Sequence, residues 1–172
     1  WRTLCRDGGR GNEAARADTR TSLWLVPAAG GEPRRLTTGP ESYGSPVFAP
    51  DGRSLYTLME PESDRVYTLS RLTPWSWPAM TDRQVLGASL DRPIGTVRVS
   101  GDSARLYFTA EDRGHERLYV LPAVGGTPTE VGALDAGTLS ALDLGGPSSA
   151  PVAVGLWQSA VQPPEVVRVE LA

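Results

Sequence analysis

Lysine is absent from the 172-residue chain, and all 17 basic side chains are arginine. That absence excludes a Walker-type phosphate loop and Schiff-base chemistry, both of which need a lysine amine. A single cysteine, Cys5, can form neither an internal disulfide nor a cysteine-based metal cluster. Histidine also occurs once, as His115, whereas a zinc site takes at least two His or Cys among its ligands. No Asp-x-Asp-x-Asp-Gly loop suggests calcium, so no metal or other cofactor is expected. A net charge of -3, with no block of like charges, leaves no footprint for nucleic acid or an anionic membrane surface. The longest apolar stretches, Leu23–Ala29 and Pro151–Trp157, are far shorter than the roughly 18 residues of a membrane-spanning helix. Asparagine (Asn12) and isoleucine (Ile94) occur once each, a bias resembling that of a GC-rich bacterial genome.

What is abundant is punctuation. There are 19 glycines and 15 prolines, which break up long helices and suit many short strands joined by tight turns. Length and an apolar share of 40% allow one soluble domain with a real core. The chain opens on Trp1 without the charged start and apolar core of a signal peptide. An internal piece of a longer protein is therefore expected, in the cytoplasm rather than the periplasm.

Self-similarity gives the clearest signal. Leu23-Trp24-Leu25-Val26-Pro27-Ala28-Ala29-Gly30-Gly31-Glu32-Pro33 returns 95 positions later as Leu118-Tyr119-Val120-Leu121-Pro122-Ala123-Val124-Gly125-Gly126-Thr127-Pro128. Weaker copies of its strand are read at Val66-Tyr67-Thr68-Leu69 and Val166-Val167-Arg168-Val169. A unit of about 48 residues thus recurs. Each unit holds a strand ending in a turn (Ser45 to Gly52, Thr96 to Asp102), a second strand (Leu55 to Met59, Leu106 to Ala110), the repeated strand, and a fourth after a Gly-Gly or similar turn. Four short strands per unit of this length predict a β-propeller blade. The predicted fold is all-β, a propeller arc of about three and a half four-stranded antiparallel blades. Its divisions are the end of an upstream blade (1–38), two blades (39–88 and 89–133) and a last blade (134–172). An open arc leaves blade faces to be covered by further blades or by self-association.

Several strings resemble the propeller of the prolyl oligopeptidase family, in its acylaminoacyl and dipeptidyl peptidase-like branch. They are Ser45-Pro46-Val47-Phe48-Ala49-Pro50-Asp51-Gly52-Arg53, Leu23 to Thr37, Asp91-Arg92-Pro93-Ile94-Gly95 and Tyr107-Phe108-Thr109-Ala110-Glu111-Asp112-Arg113-Gly114. Pro163-Pro164-Glu165-Val166 is similar to the family's last propeller strand. The Pro50-Asp51-Gly52 turn is also similar to the propeller of the Tol system, which leaves a protein-binding module as the alternative. The family resemblance implies a serine peptidase whose propeller caps an α/β-hydrolase domain and gates peptide substrates. No Gly-x-Ser-x-Gly elbow occurs, and the nearest string, Gly145-Gly146-Pro147-Ser148-Ser149, lacks the second glycine. No catalytic residue is assigned within the chain.

Six residues are candidates for contact with substrate or a partner domain. Glu111, Asp112 and Arg113 sit in a charged hairpin, where Asp112 is expected to accept backbone N–H bonds and Arg113 to pack or pair on the surface. Alternatively the carboxylates bind a free amine and the arginine a carboxylate. Arg98, in Val97-Arg98-Val99, is a candidate charge on the strand lining the central tunnel. Trp75 and Trp77, in Pro74-Trp75-Ser76-Trp77-Pro78, are assigned to an insertion and are expected between blades or against a partner. His115 is read as a turn residue and not as a catalytic base.

Overall fold

The computed structural model describes residues 2–7, 20–63, 67–81, 84–132, 137–147 and 150–171, the first of these segments as backbone alone. Trp1, Val66, Ser148 and Ser149, which figure in the sequence reading, lie outside the described residues.

Among the described residues the chain forms thirteen strands and no helix. They make four antiparallel sheets in which sequence neighbours are spatial neighbours. The first sheet holds β1 (Arg2–Asp7), β2 (Thr21–Val26) and β3 (Arg34–Arg35). The second holds β4 (Ser42–Phe48), β5 (Ser54–Glu60) and β6 (Arg71–Ser76), extended by an isolated bridge between Leu72 and Leu86. The third is a full four-stranded blade of β7 (Ile94–Val99), β8 (Arg105–Asp112), β9 (His115–Pro122) and β10 (Thr129–Glu130). The fourth holds β11 (Thr138–Gly145), β12 (Val152–Ser159) and β13 (Gln162–Glu170).

The sheets stack face to face in chain order, and each interface has its own core. Leu23, Tyr43, Leu55 and Trp75 fill the first, with the Tyr43 and Trp75 rings edge-on at 5.6 Å. Tyr56 and Leu72 meet Val97, Leu106, Phe108 and Leu121 in the second. Tyr107 and Leu118 meet Leu139, Leu142, Ala153 and Val169 in the third. A central blade is therefore covered on both faces, which explains why β8 buries five consecutive residues, Leu106 to Ala110, instead of alternating. Strands β4, β7 and β11 touch one another in succession and form the inner row of the arc. Each carries a bulge that breaks its register with the second strand of its blade: Gly44/Val47, Ile94/Val97 and Ser140/Asp143.

One hydrogen bond marks the repeat. The N–H of Leu36 donates to the carbonyl of Leu23, that of Leu86 to Leu72, and that of Val131 to Leu118, each at 2.8 Å. The third strand of a blade thus holds its outer strand through a leucine. The glycine pairs after β2 and β9 serve the intervening turn: Gly30, Gly31, Gly125 and Gly126 all have positive φ, a region that side chains resist.

Two readings from sequence are corrected. The third strand of the second blade is Arg71–Ser76, whereas Tyr67–Leu69 is loop and the Tyr67 side chain is exposed. Consequently Trp75 and Trp77 are not in an insertion: Trp75 belongs to β6 and Trp77 follows it directly. The extra length of this unit lies in the connection between β5 and β6. Leu55 matches Leu106, 51 positions on, but Leu72 matches Leu118, only 46 positions on. The physical reason is that Leu72, not an apolar residue near position 67, can reach the inter-blade core.

Candidate functional site

The meander sets which loops share a rim. Strands β7, β9 and β11 begin at the same end where β8 finishes, so the β8–β9 hairpin lies beside the entry to β11. A groove of about 320 Å³ opens there. Pro93, Ile94 and Gly95 form one wall, Thr138 another, and Glu111, His115 and Glu116 of the hairpin line the rest.

Glu111 and Glu116 are direct cross-strand partners, as are Asp112 and His115. Opposed like charges cost stability in a sheet and concentrate negative potential. A buried threonine orients one of them. Thr109 Oγ1 accepts the N–H of Thr96 at 3.0 Å and donates to Glu116 Oε1 at 2.5 Å. The carboxylate lies over Gly95, where an added Cβ would come within 2.6 Å of both Glu116 Oε1 and Thr109 Oγ1. Glycine there is what lets Glu116 fold onto the strand.

Asp112 departs from the expected role in the turn. Its Oδ1 accepts from Arg92 Nε at 3.1 Å, so the hairpin is fastened to the segment leading into β7. Arg113 stands in solvent with φ 53°, its Nε 4.0 Å from Asp112 Oδ1. His115 is the first residue of β9 and is half-buried in the groove. No hydroxyl or thiol hydrogen-bonds to it among the described residues, so the arrangement has no nucleophile and base pair. What it can do is bind a cationic or hydrogen-donating group.

Arg98 lies on the inner strand, with Nε 3.1 Å from Asp143 Oδ1 of β11. This hydrogen bond, followed by one from the Leu144 N–H, holds the Asp143 carboxyl below the usual carboxylate range. Burial pushes the Tyr119 hydroxyl up, helped by the charges of Asp112 and Glu130. Trp75 is buried in the first interface and donates from Nε1 to Thr57 Oγ1 at 3.0 Å. Trp77 packs edge-on against Phe48 at 4.9 Å. Both tryptophans sit toward the rim opposite the groove, so the structure does not bring them to Glu111, Asp112 and Arg113. Sequence reasoning missed Glu116, Thr109 and Arg92. Period-two alternation across a hairpin could have paired Glu116 with Glu111, but nothing local signals Arg92.

No protein-family model matches the chain. In sequence it is 33% identical over 126 residues, 64% of its length, to dipeptidyl-peptidase 5 of Trichophyton schoenleinii, of which it covers 17%. That relative is fungal, whereas the composition pointed to a bacterial genome. Among solved structures, Pyrococcus horikoshii acylaminoacyl peptidase superposes with a TM-score of 0.63 at 17% identity, over 89% of this chain and 23% of that one. The β-propeller domain of the Trilobed protease from Pyrococcus furiosus gives 0.65 at 14% identity, over 97% and 47%. TolB from Acinetobacter baumannii gives 0.61 at 15%, over 88% and 35%. At such identities the structural likenesses establish the fold, which is that of a β-propeller.

Proposed function

We propose that this chain, a propeller segment of the kind found in peptidases of the prolyl oligopeptidase family, gates and orients peptide substrates for a separate α/β-hydrolase domain of a serine peptidase. The observation that carries this reading is the 33% sequence identity to dipeptidyl-peptidase 5. Fold alone does not decide, since TM-scores of 0.63 to a peptidase and 0.61 to TolB are equivalent and one fold hosts many functions. The chain spans 17% of that relative. The role therefore calls for partners: further blades, the hydrolase domain and the peptide.

In this role the chain performs no bond chemistry. Glu111 and Glu116 attract a protonated peptide amine to the rim groove, and the Thr96–Thr109–Glu116 chain holds one carboxylate in place before the ligand arrives. Arg113, exposed at the hairpin turn, offers a fork to a peptide carboxylate. The Arg92–Asp112 pair keeps the hairpin at the groove mouth.

The test is made in the full-length parent peptidase with Glu111→Gln and Glu116→Gln. KM for peptides with a free amino end is expected to rise several-fold at unchanged kcat, with N-acetylated peptides unaffected. Equal KM values for wild type and both variants would remove the groove from the mechanism. A parent gene encoding only further blades, with no hydrolase domain, would replace the peptidase reading by that of a Tol-like protein-binding module.

A further inference from the structure

The side chain of Ile94 packs against the core between the second and third sheets, and the same residue lines the rim groove. Its main chain is turned in a third direction. Ile94 stands directly opposite Ala110, and the N–H of Glu111 donates to the carbonyl of Pro93 at 3.4 Å. In an antiparallel ladder a bond between the flanking residues marks a non-hydrogen-bonded pair, whose two members turn their own N–H and C=O outward. The Ile94 N–H and C=O therefore both point away from β8.

Strand β7 is the last of its sheet, and among the described residues no strand pairs with its free edge. Farther along that edge the chain caps itself: the Val97 carbonyl accepts Arg98 Nη1 at 3.0 Å, and the same guanidinium is held by Asp143. Between these two positions the bulge turns the Thr96 N–H to Thr109 Oγ1. Ile94 is thus the end of the edge that opens on the groove. It adjoins Gly95, over which the Glu116 carboxylate lies. An unpaired backbone donor and acceptor beside two carboxylates match the start of an extended peptide, which offers a charged amine and then N–H and C=O groups at about 3.3 Å per residue.

From this juxtaposition we infer that Ile94 is a main-chain clamp for a peptide held in the groove by its amino end: one peptide residue accepts the Ile94 N–H at its carbonyl and donates its own N–H to the Ile94 carbonyl. Pairing of this kind ignores side chains. The site therefore selects a free amine followed by an extended, unsubstituted backbone, and rejects proline or any N-alkylated residue at the paired position. The inference rests on the amine-binding reading of Glu111 and Glu116 and adds what the groove does with the peptide beyond its amine.

The 172-residue chain is titrated with tetra-alanine, and binding is followed by NMR at the backbone amides of the groove. In the peptide, N-methylation of residue 2 or of residue 3 removes one N–H at a time, and one of the two changes is expected to weaken binding about fivefold or more. In the protein, Ile94→Ala trims the side chain and keeps the N–H, whereas Ile94→Pro removes the N–H at a position where no ladder bond is lost. Ile94→Pro is expected to bind tetra-alanine about fivefold or more weakly than Ile94→Ala. Should Ile94→Pro fail to fold, the peptide series decides alone. Equal binding of the three peptides, equal binding by the two folded variants, or no binding of tetra-alanine overturns the pairing. N-acetylated tetra-alanine tests the amine anchor separately. Binding weakened by acetylation but not by N-methylation leaves Glu111 and Glu116 as an amine site and removes Ile94 from it, while acetylation without effect removes the amine reading and leaves the pairing to be judged by the N-methyl series.

Discussion

Arg98 Nε and Asp143 Oδ1, 3.1 Å apart, join the inner strands of two consecutive blades. Both side chains keep contact with water, at 38% and 71% exposure, so the pair is screened and is worth about 1 kcal/mol or less. Burial of Leu118, Leu139 and Tyr107 in the same interface dominates the energy.

The pair predicts a pH-dependent stability difference between wild type and Arg98→Ala. Asp143 is held below its ordinary carboxylate value in the folded chain. Its contribution is therefore complete above the unfolded value near 3.9 and disappears as pH falls through the lowered folded one. Urea titrations are expected to separate the two proteins by up to ~1 kcal/mol at neutral pH and low salt, and to bring them together as pH falls below the ordinary carboxylate range or in molar salt. A separation that is the same in acid and in molar salt as at neutral pH and low salt would mean that Arg98 acts through packing of its stem.

How much of this was legible in the sequence depended on whether a residue's task is local. Leu23 and Leu118 announce their strands because the same Gly-Gly turn follows each, and positive φ at those glycines demands the same residue type. The third strand of the second blade was hidden because its turn is built differently. Met80 takes φ 54° where the other blades use glycine, and its N–H donates to the Ser76 carbonyl at 2.7 Å. Meanwhile Tyr67-Thr68-Leu69 imitates strand alternation in sequence but is loop. The ion pairs were illegible for another reason: Arg92 and Asp112, or Arg98 and Asp143, meet only through the hairpin register and the stacking of blades. The groove was half legible, since its acidic hairpin was singled out while its other wall, at Thr138, comes from the next blade.

A second prediction concerns the β7–β8 hairpin. Ser100 Oγ donates to Asp102 Oδ1 and accepts the N–H of Arg105 at 2.9 Å. The hydrogen bond from Ser100, followed by one from the Ala104 N–H, lowers the Asp102 pKa. Ser100→Ala is expected to move that pKa back up toward the ordinary carboxylate range, with NMR titration of the side-chain carboxyl carbon as the measurement. An unmoved titration curve would assign the shift to the Ala104 and Asp102 N–H groups and the Arg105 charge instead.

A third prediction follows from the groove's lack of a nucleophile and base pair. The purified 172-residue chain is expected to show no turnover of dipeptidyl or acylated peptide substrates. Its single histidine faces Asp112 across the hairpin and accepts no proton from a hydroxyl or thiol among the described residues. Turnover that titrates with an active-site reagent and vanishes in His115→Ala would show that the chain carries its own chemistry.

The last prediction uses the repeat as its own control. Leu72 and Leu118 occupy equivalent positions and are fully enclosed between blades. Truncating either to alanine removes buried methyl groups and leaves a cavity that a stacked pair of sheets closes only partly. A loss of about 2–5 kcal/mol is expected for each. Val166, at the matching position of the fourth sheet, stands in water, so Val166→Ala should change stability by less than about 0.5 kcal/mol in the same chain. Chemical denaturation at one pH and salt concentration compares the three directly. If Val166→Ala destabilised the chain as much as Leu118→Ala, the outer face of the fourth sheet would already be covered in solution. Concentration dependence of that effect would then identify a second copy as the cover.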